Sequence, residues 1–227
     1  MVAAERLTPG PYGLLLGSVA VTVAVQGALP SSNVQQLIVS LLLGADLLLA
    51  VRVARAAPRL MALATALAAA GVATNLLSWL GGGVGDGEVR VLNAAVVLLG
   101  PPAVAVGVVR TLRTSGAVRL EAVSGVLSLY MLMGLLFAFV FGAVDRLGGH
   151  PFFVDGTPAT MARCLYFSFT TLTTVGYGDF TARSDLGHTL CVFEALIGQI
   201  YLVTVVSLIV SNLGRRDAAL ARPRPGD

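Results

Sequence analysis

Six stretches of the chain are long runs of apolar residues with almost no charge: Tyr12–Leu29, Val34–Val51, Leu60–Leu80, Val91–Val109, Val123–Val144 and Leu186–Leu213. At 1.5 Å per helical residue, each covers the roughly 30 Å of a bilayer's hydrocarbon. Between the fifth and sixth runs lies a shorter one, Ala159–Thr173. At about 15 residues it is too short to span. Thr157-Pro158 ahead of it predicts a helix start, with a threonine cap and proline at the first helical position. The chain then returns as irregular backbone through Thr174–Asp179. Irregular backbone at membrane depth survives only where protein covers it or where it lines a water-filled path. The pattern predicts an all-α membrane protein of six transmembrane helices plus a re-entrant helix and loop beside a pore. Its parts are a four-helix unit over 1–118, a pore unit over 119–214 and a short unstructured cytoplasmic tail over 215–227.

Composition supports a membrane setting. Of the 227 residues 56% are hydrophobic and 12% charged, with a mean hydropathy of +0.85. That charge density is about half of what keeps a soluble surface wet, which argues against a soluble domain. The net charge of +3 comes from fifteen arginines and no lysine, a usage that suggests a GC-rich bacterial genome. With the amino terminus inside, eleven arginines fall on the cytoplasmic side and four outside (Arg90, Arg146, Arg163 and Arg183). The positive-inside rule favours this orientation in the cell membrane, with both termini cytoplasmic. The first run resembles a signal peptide, with Arg6 ahead of it and Gly27-Ala28 near its end, but it exceeds a signal core and further spans follow. Cys164 and Cys191 read as reduced, buried residues, and His150 and His188 as solvated loop residues. The chain carries no phosphate-binding loop or metal-ligand spacing. No enzyme chemistry, cofactor or nucleic-acid partner is expected.

The loop reads Thr173-Thr174-Val175-Gly176-Tyr177-Gly178-Asp179. This resembles the selectivity filter of potassium channels, and the resemblance extends over roughly Val123 to Leu213. It implies that four copies of the loop replace a potassium ion's hydration shell with backbone carbonyls of Thr174, Val175, Gly176, Tyr177 and Gly178. Successive carbonyls facing one axis require alternating backbone conformations, including positive φ, which Gly176 and Gly178 supply without a Cβ clash. The resemblance further implies a hydroxyl ligand from Thr174 and a wall formed by Val175 and Tyr177. In that wall Tyr166 and Phe167 pack around Tyr177, and Thr173 and Asp179 bound the loop. The carboxyl end of the short helix favours a cation below the filter. Where some family members place a glutamate behind the filter this chain has Thr170, so a carboxylate pair with Asp179 is unavailable.

The sixth run is expected to line the cavity. Gly198 stands where many such channels have a hinge glycine, and close packing against the short helix explains it equally well. Gln199, Leu202, Val206 and Val210 share a face and are the candidate cavity wall and constriction. Glu194 lies one turn before Gly198, where an unpaired carboxylate is expensive. A structural hydrogen bond near the filter base outweighs a proton-sensitive gate for it. Asp46, the acid of the second run, is expected to bond Asn75, Asn93 or Arg113. The fourth run has no arginine and contains Pro101-Pro102, which should kink it. It therefore lacks the three or four charges that steep voltage gating uses, and Arg110 and Arg113 at its end read as anchors. The first four helices look like a voltage sensor stripped of its charges.

Together these features predict a homotetrameric, potassium-selective channel in contact with membrane lipids, with K+ as permeant ligand at Thr174–Tyr177. A less selective cation channel and a non-conducting accessory subunit with the same fold are the alternatives. A transporter subunit is disfavoured, since such chains carry several degenerate loops.

Overall fold

The computed structural model describes residues 10–29, 32–54, 57–80, 96–106 and 120–220, with the side chains at 33, 78–79, 120–122, 206 and 208–220 left aside. The described residues form seven helices: α1 (Pro11–Ala28), α2 (Asn33–Val53), α3 (Pro58–Trp79), α4 (Val96–Val106), α5 (Leu120–Leu147), α6 (Met161–Leu172) and α7 (Asp185–Leu220). Among them α1, α2, α3, α5 and α7 are long and apolar enough to cross a membrane. Their bounds lie within a few residues of the hydrophobic runs, apart from the far end of α7. The fourth run is described only over α4, whose helix continues through Pro101-Pro102. Arg90, Asn93, Arg110, Arg113 and the boundary at 118 lie outside the described residues.

Local chemistry sets the starts of these helices. α1 opens on Pro11 and α3 on Pro58, where the missing amide costs no helical hydrogen bond. α2 is capped by Ser32, whose hydroxyl accepts from the amide of Gln35 at 3.1 Å. At the other extreme, α7 runs on to Leu220. Residues 215–220, expected in an unstructured tail, are therefore helical, and 221–227 lie outside the described residues.

α1 packs on α2, α5 and α6, α2 on α3, and α5 and α6 on α7. Small residues bring α2 and α3 together: a Cβ on Gly44 would lie 3.1 Å from that of Ala68. Two polar ties cross the amino-terminal helices. The Thr22 hydroxyl on α1 donates to Asp46 Oδ2 on α2 at 2.7 Å, and Asn75 Nδ2 on α3 donates to Ser40 Oγ on α2 at 2.6 Å. Asp46 is thus bonded to Thr22 rather than to Asn75, whose amide donates to Ser40 and to the Gly71 carbonyl instead.

Candidate ion pathway

α6 begins at Met161 and not at Ala159. The sequence points to Thr157 as the cap, but the helix starts too far along the chain for that residue to cap it. The Thr157 amide and hydroxyl both donate to the Asp155 carboxylate, which holds that carboxyl below its ordinary range. The cap is Thr160, whose side chain accepts from the Arg163 amide at 3.4 Å. The 12-residue helix covers only about 18 Å, too little to cross a bilayer.

A collar of backbone and arginine contacts joins the segment ahead of α6 to the segment after the loop. Phe153 and Ala182 form an antiparallel bridge, and the amides of Val154 and Arg183 donate to the carbonyls of Thr181 and Phe152. The Arg183 guanidinium donates to the Val154 carbonyl at 2.5 Å, and Asp145 accepts the Phe152 amide at 2.8 Å. Beneath this collar Phe141, Phe152, Phe153 and Phe167 meet ring to ring at 5.1 to 5.7 Å. Phe167 is thereby committed to the interior. The expectation that it packs around Tyr177 is corrected: successive residues of a helix face different ways, and only Tyr166 turns toward the loop.

The loop itself has an alternating backbone. Thr174, Gly176 and Gly178 adopt positive φ of 58°, 51° and 79°. The amides of Thr174, Val175 and Gly176 turn back on α6, the first to the Thr171 carbonyl and the other two to the Thr170 carbonyl, at 2.9 to 3.0 Å. Among the described residues, none donates a hydrogen bond to a carbonyl of residues 174–178. With the amides drawn to one side and alternate residues left-handed, those carbonyls are free to serve another ligand. A Cβ on Gly176 or Gly178 would meet nothing within 4 Å, so glycine is required there by conformation and not by space. Thr174 holds positive φ without being glycine, a strained position of the kind found at functional sites.

Tyr166 and Tyr177 stack with centroids 6.3 Å apart and planes 7° from parallel, and Phe180 meets Tyr166 edge-on at 5.9 Å. The Asp179 carboxylate beside Tyr166 holds the phenol above its ordinary range. Thr170 does not reach that carboxylate, since its hydroxyl donates to the Phe167 carbonyl at 3.0 Å, and that of Thr173 donates to Phe169 at 2.6 Å. Val175 and Tyr177 are 52% and 71% exposed within the single chain.

Behind the loop, α7 presents Glu194 and Gly198 to α6. Ser168 Oγ lies 2.5 Å from Glu194 Oε1. A Cβ on Gly198 would come within 2.2 Å of the Leu172 carbonyl oxygen, which also accepts the Tyr130 hydroxyl at 3.2 Å. Of the two explanations for Gly198, close packing against α6 is the one the geometry supports: α7 is continuous through it. Gln199 and Leu202 lie exposed on another face of α7, while the side chains of Val206 and Val210 lie outside the described ones. Ser168, Tyr130 and Arg183 escaped sequence reasoning. Each works through a backbone carbonyl that no spacing rule reveals; a lone serine within the apolar re-entrant helix was the available signal.

Residues 126–215, from α5 through the loop into α7, match the model of a family described as "Ion channel". A calcium-activated potassium channel, slowpoke, from Drosophila melanogaster is 28% identical over 103 residues. That stretch is 45% of this chain and 8% of the relative, so the chain spans a small part of that protein's length. No solved structure matches. The match over 126–215 supports an ion-channel domain there, and with the apolar helices it supports a multi-pass membrane protein.

Proposed function

We propose that the chain is the subunit of a homotetrameric channel that passes K+ selectively and passively through the carbonyls of Thr174, Val175, Gly176, Tyr177 and Gly178. The observation that carries this reading is the alternation of positive φ at Thr174, Gly176 and Gly178 with the amides of 174–176 held on α6. Backbone carbonyls without donors at membrane depth need a ligand, and a partly dehydrated cation supplies one. Four chains are needed because one loop forms a quarter of a ring. The exposure of Val175 and Tyr177 fits walls completed by neighbours. So does α7, where only 11% of the most apolar stretch is buried within the chain, against 56% in α5. Gln199, Leu202, Val206 and Val210 then border the cavity, and both termini face the cytoplasm.

Conduction is not steeply voltage-dependent in this reading. Moving one charge through the field releases about 2.3 kcal/mol per 100 mV, and residues 91–109 contain no arginine to move.

The test is reversal potential under bi-ionic conditions in liposomes containing the purified protein. A strong preference for K+ over Na+, blocked by barium, is the expected result. Equal permeability establishes the less selective channel instead, and absence of flux an accessory subunit.

A further inference from the structure

Two contacts between α6 and α7 repeat at one spacing. Ser168 meets Glu194, and four residues further along each helix Leu172 meets Gly198. Residues four apart share a helix face, so both contacts lie along one seam. Ser168 and Glu194 are each fully buried. Ser168 Oγ sits 2.6 Å from the Gly134 carbonyl oxygen and 2.5 Å from Glu194 Oε1. A hydroxyl has one proton and a carbonyl only accepts. The Ser168 proton therefore goes to Gly134, and the contact with Glu194 requires a proton on the carboxyl. Glu194 is the donor, as the neutral acid. Its Oε2 has no partner among the described residues, a situation a carbonyl oxygen tolerates far better than a carboxylate.

We propose that Glu194 is a positioning residue for conduction: its neutral carboxyl holds α6 through Ser168 while Gly198 seats the Leu172 carbonyl, and together they set the depth of the helix end from which the filter departs. The link to the filter is short. Leu172 is followed directly by Thr173, and the carbonyls of Thr170 and Thr171 hold the amides of residues 174–176. Sliding the last turn of α6 along the seam moves those amides, and with them the carbonyls on the other side of the loop. With Thr170 bonded to its own helix, the anchoring falls to a carboxyl on α7. This inference rests on the loop being a potassium filter.

The experiment compares permeability ratios in liposomes of the full-length protein, with assembly checked by size-exclusion chromatography. E194L keeps the volume and removes the donor; it is expected to lower the K+ over Na+ ratio about tenfold while the protein still assembles. E194Q, whose amide still donates to Ser168, is expected to stay within about twofold of wild type. G198A, with Glu194 untouched, is expected to fall as E194L does. A wild-type ratio in E194L overturns the proposal. So does E194Q falling as far as E194L, since a carboxylate would then be what matters. If E194L does not assemble, S168A and G198A carry the test, and unchanged ratios in both overturn it. Wild-type vesicles passing Na+ as readily as K+ overturn the filter reading, and this inference with it.

Discussion

Helices α2 and α5 are about equally apolar, with mean hydropathies of 2.0 and 2.2, yet the regions around them use polar residues in different ways. Around α2 the ties between helices join side chain to side chain, Thr22 to Asp46 and Asn75 to Ser40. Around α5, the Ser168–Glu194 contact between α6 and α7 aside, they join side chain to main chain. Ser168 donates to the Gly134 carbonyl, Tyr130 to Leu172 and Tyr201 to Val126. A bond between side chains alone holds two helices near each other and lets each backbone settle, unless, as at Ser168, one member is also tied to a carbonyl of another helix. A bond that ends on a carbonyl fixes a point of the backbone itself. The second kind suits a site whose ligands are backbone oxygens, where a few tenths of an ångström change the fit to an ion.

Substitutions can break or sharpen this contrast. The largest effect is expected from G176A and G178A. Forcing a Cβ into the left-handed region costs roughly 1 to 2 kcal/mol per residue, repeated in each assembled chain. The K+ over Na+ ratio should fall toward unity while the oligomer still elutes intact; retained selectivity removes these residues from the filter. Next comes Y130F, which deletes the donor to Leu172 and leaves the ring to stack on Tyr201 at 5.6 Å. A net hydrogen bond of about 1 kcal/mol predicts a shift of a few-fold in the same ratio. D46L should leave permeability untouched and change only thermal stability, by about 1 to 2 kcal/mol, measured by loss of the detergent-solubilised oligomer on heating. If D46L alters selectivity as much as Y130F does, the division between the two regions is wrong. The smallest effect belongs to N75L combined with S40A. Interhelical side-chain bonds within membranes average about 0.6 kcal/mol, so a small drop in melting temperature and an unchanged reversal potential are expected.

Much of the architecture was legible because a bilayer enforces it. Backbone groups in hydrocarbon must be satisfied within the chain, so each long apolar run has to be a helix. The runs accordingly locate α1, α2, α3, α5 and α7 to within a few residues at all but one end. The loop was legible too, since the glycines at 176 and 178 mark where φ turns positive. What was not legible depended on competition for partners. Thr157 has every local mark of a helix cap, yet it turns back on Asp155 while the helix begins at Met161 with Thr160 as its cap. Tyr166 and Phe167 are adjacent aromatics of equal promise, and the neighbouring helix decided which one reaches the loop. Asp46 had several plausible partners in sequence and found a different one, Thr22, across α1.

The amino-acid order by itself determined where helices must lie, where the backbone must turn left-handed, and that one helix is too short to cross a bilayer. Each follows from hydrophobicity, chain length or the absence of a Cβ, and these act over a few residues. Tertiary structure decided which polar group meets which carbonyl: Ser168 with Gly134, Tyr130 with Leu172, Gly198 against the end of α6. Those contacts join residues up to 42 positions apart along the chain, and they depend on the rotation and depth of one helix against another. No local pattern encodes that rotation, because it is fixed by how all the packed faces fit at once.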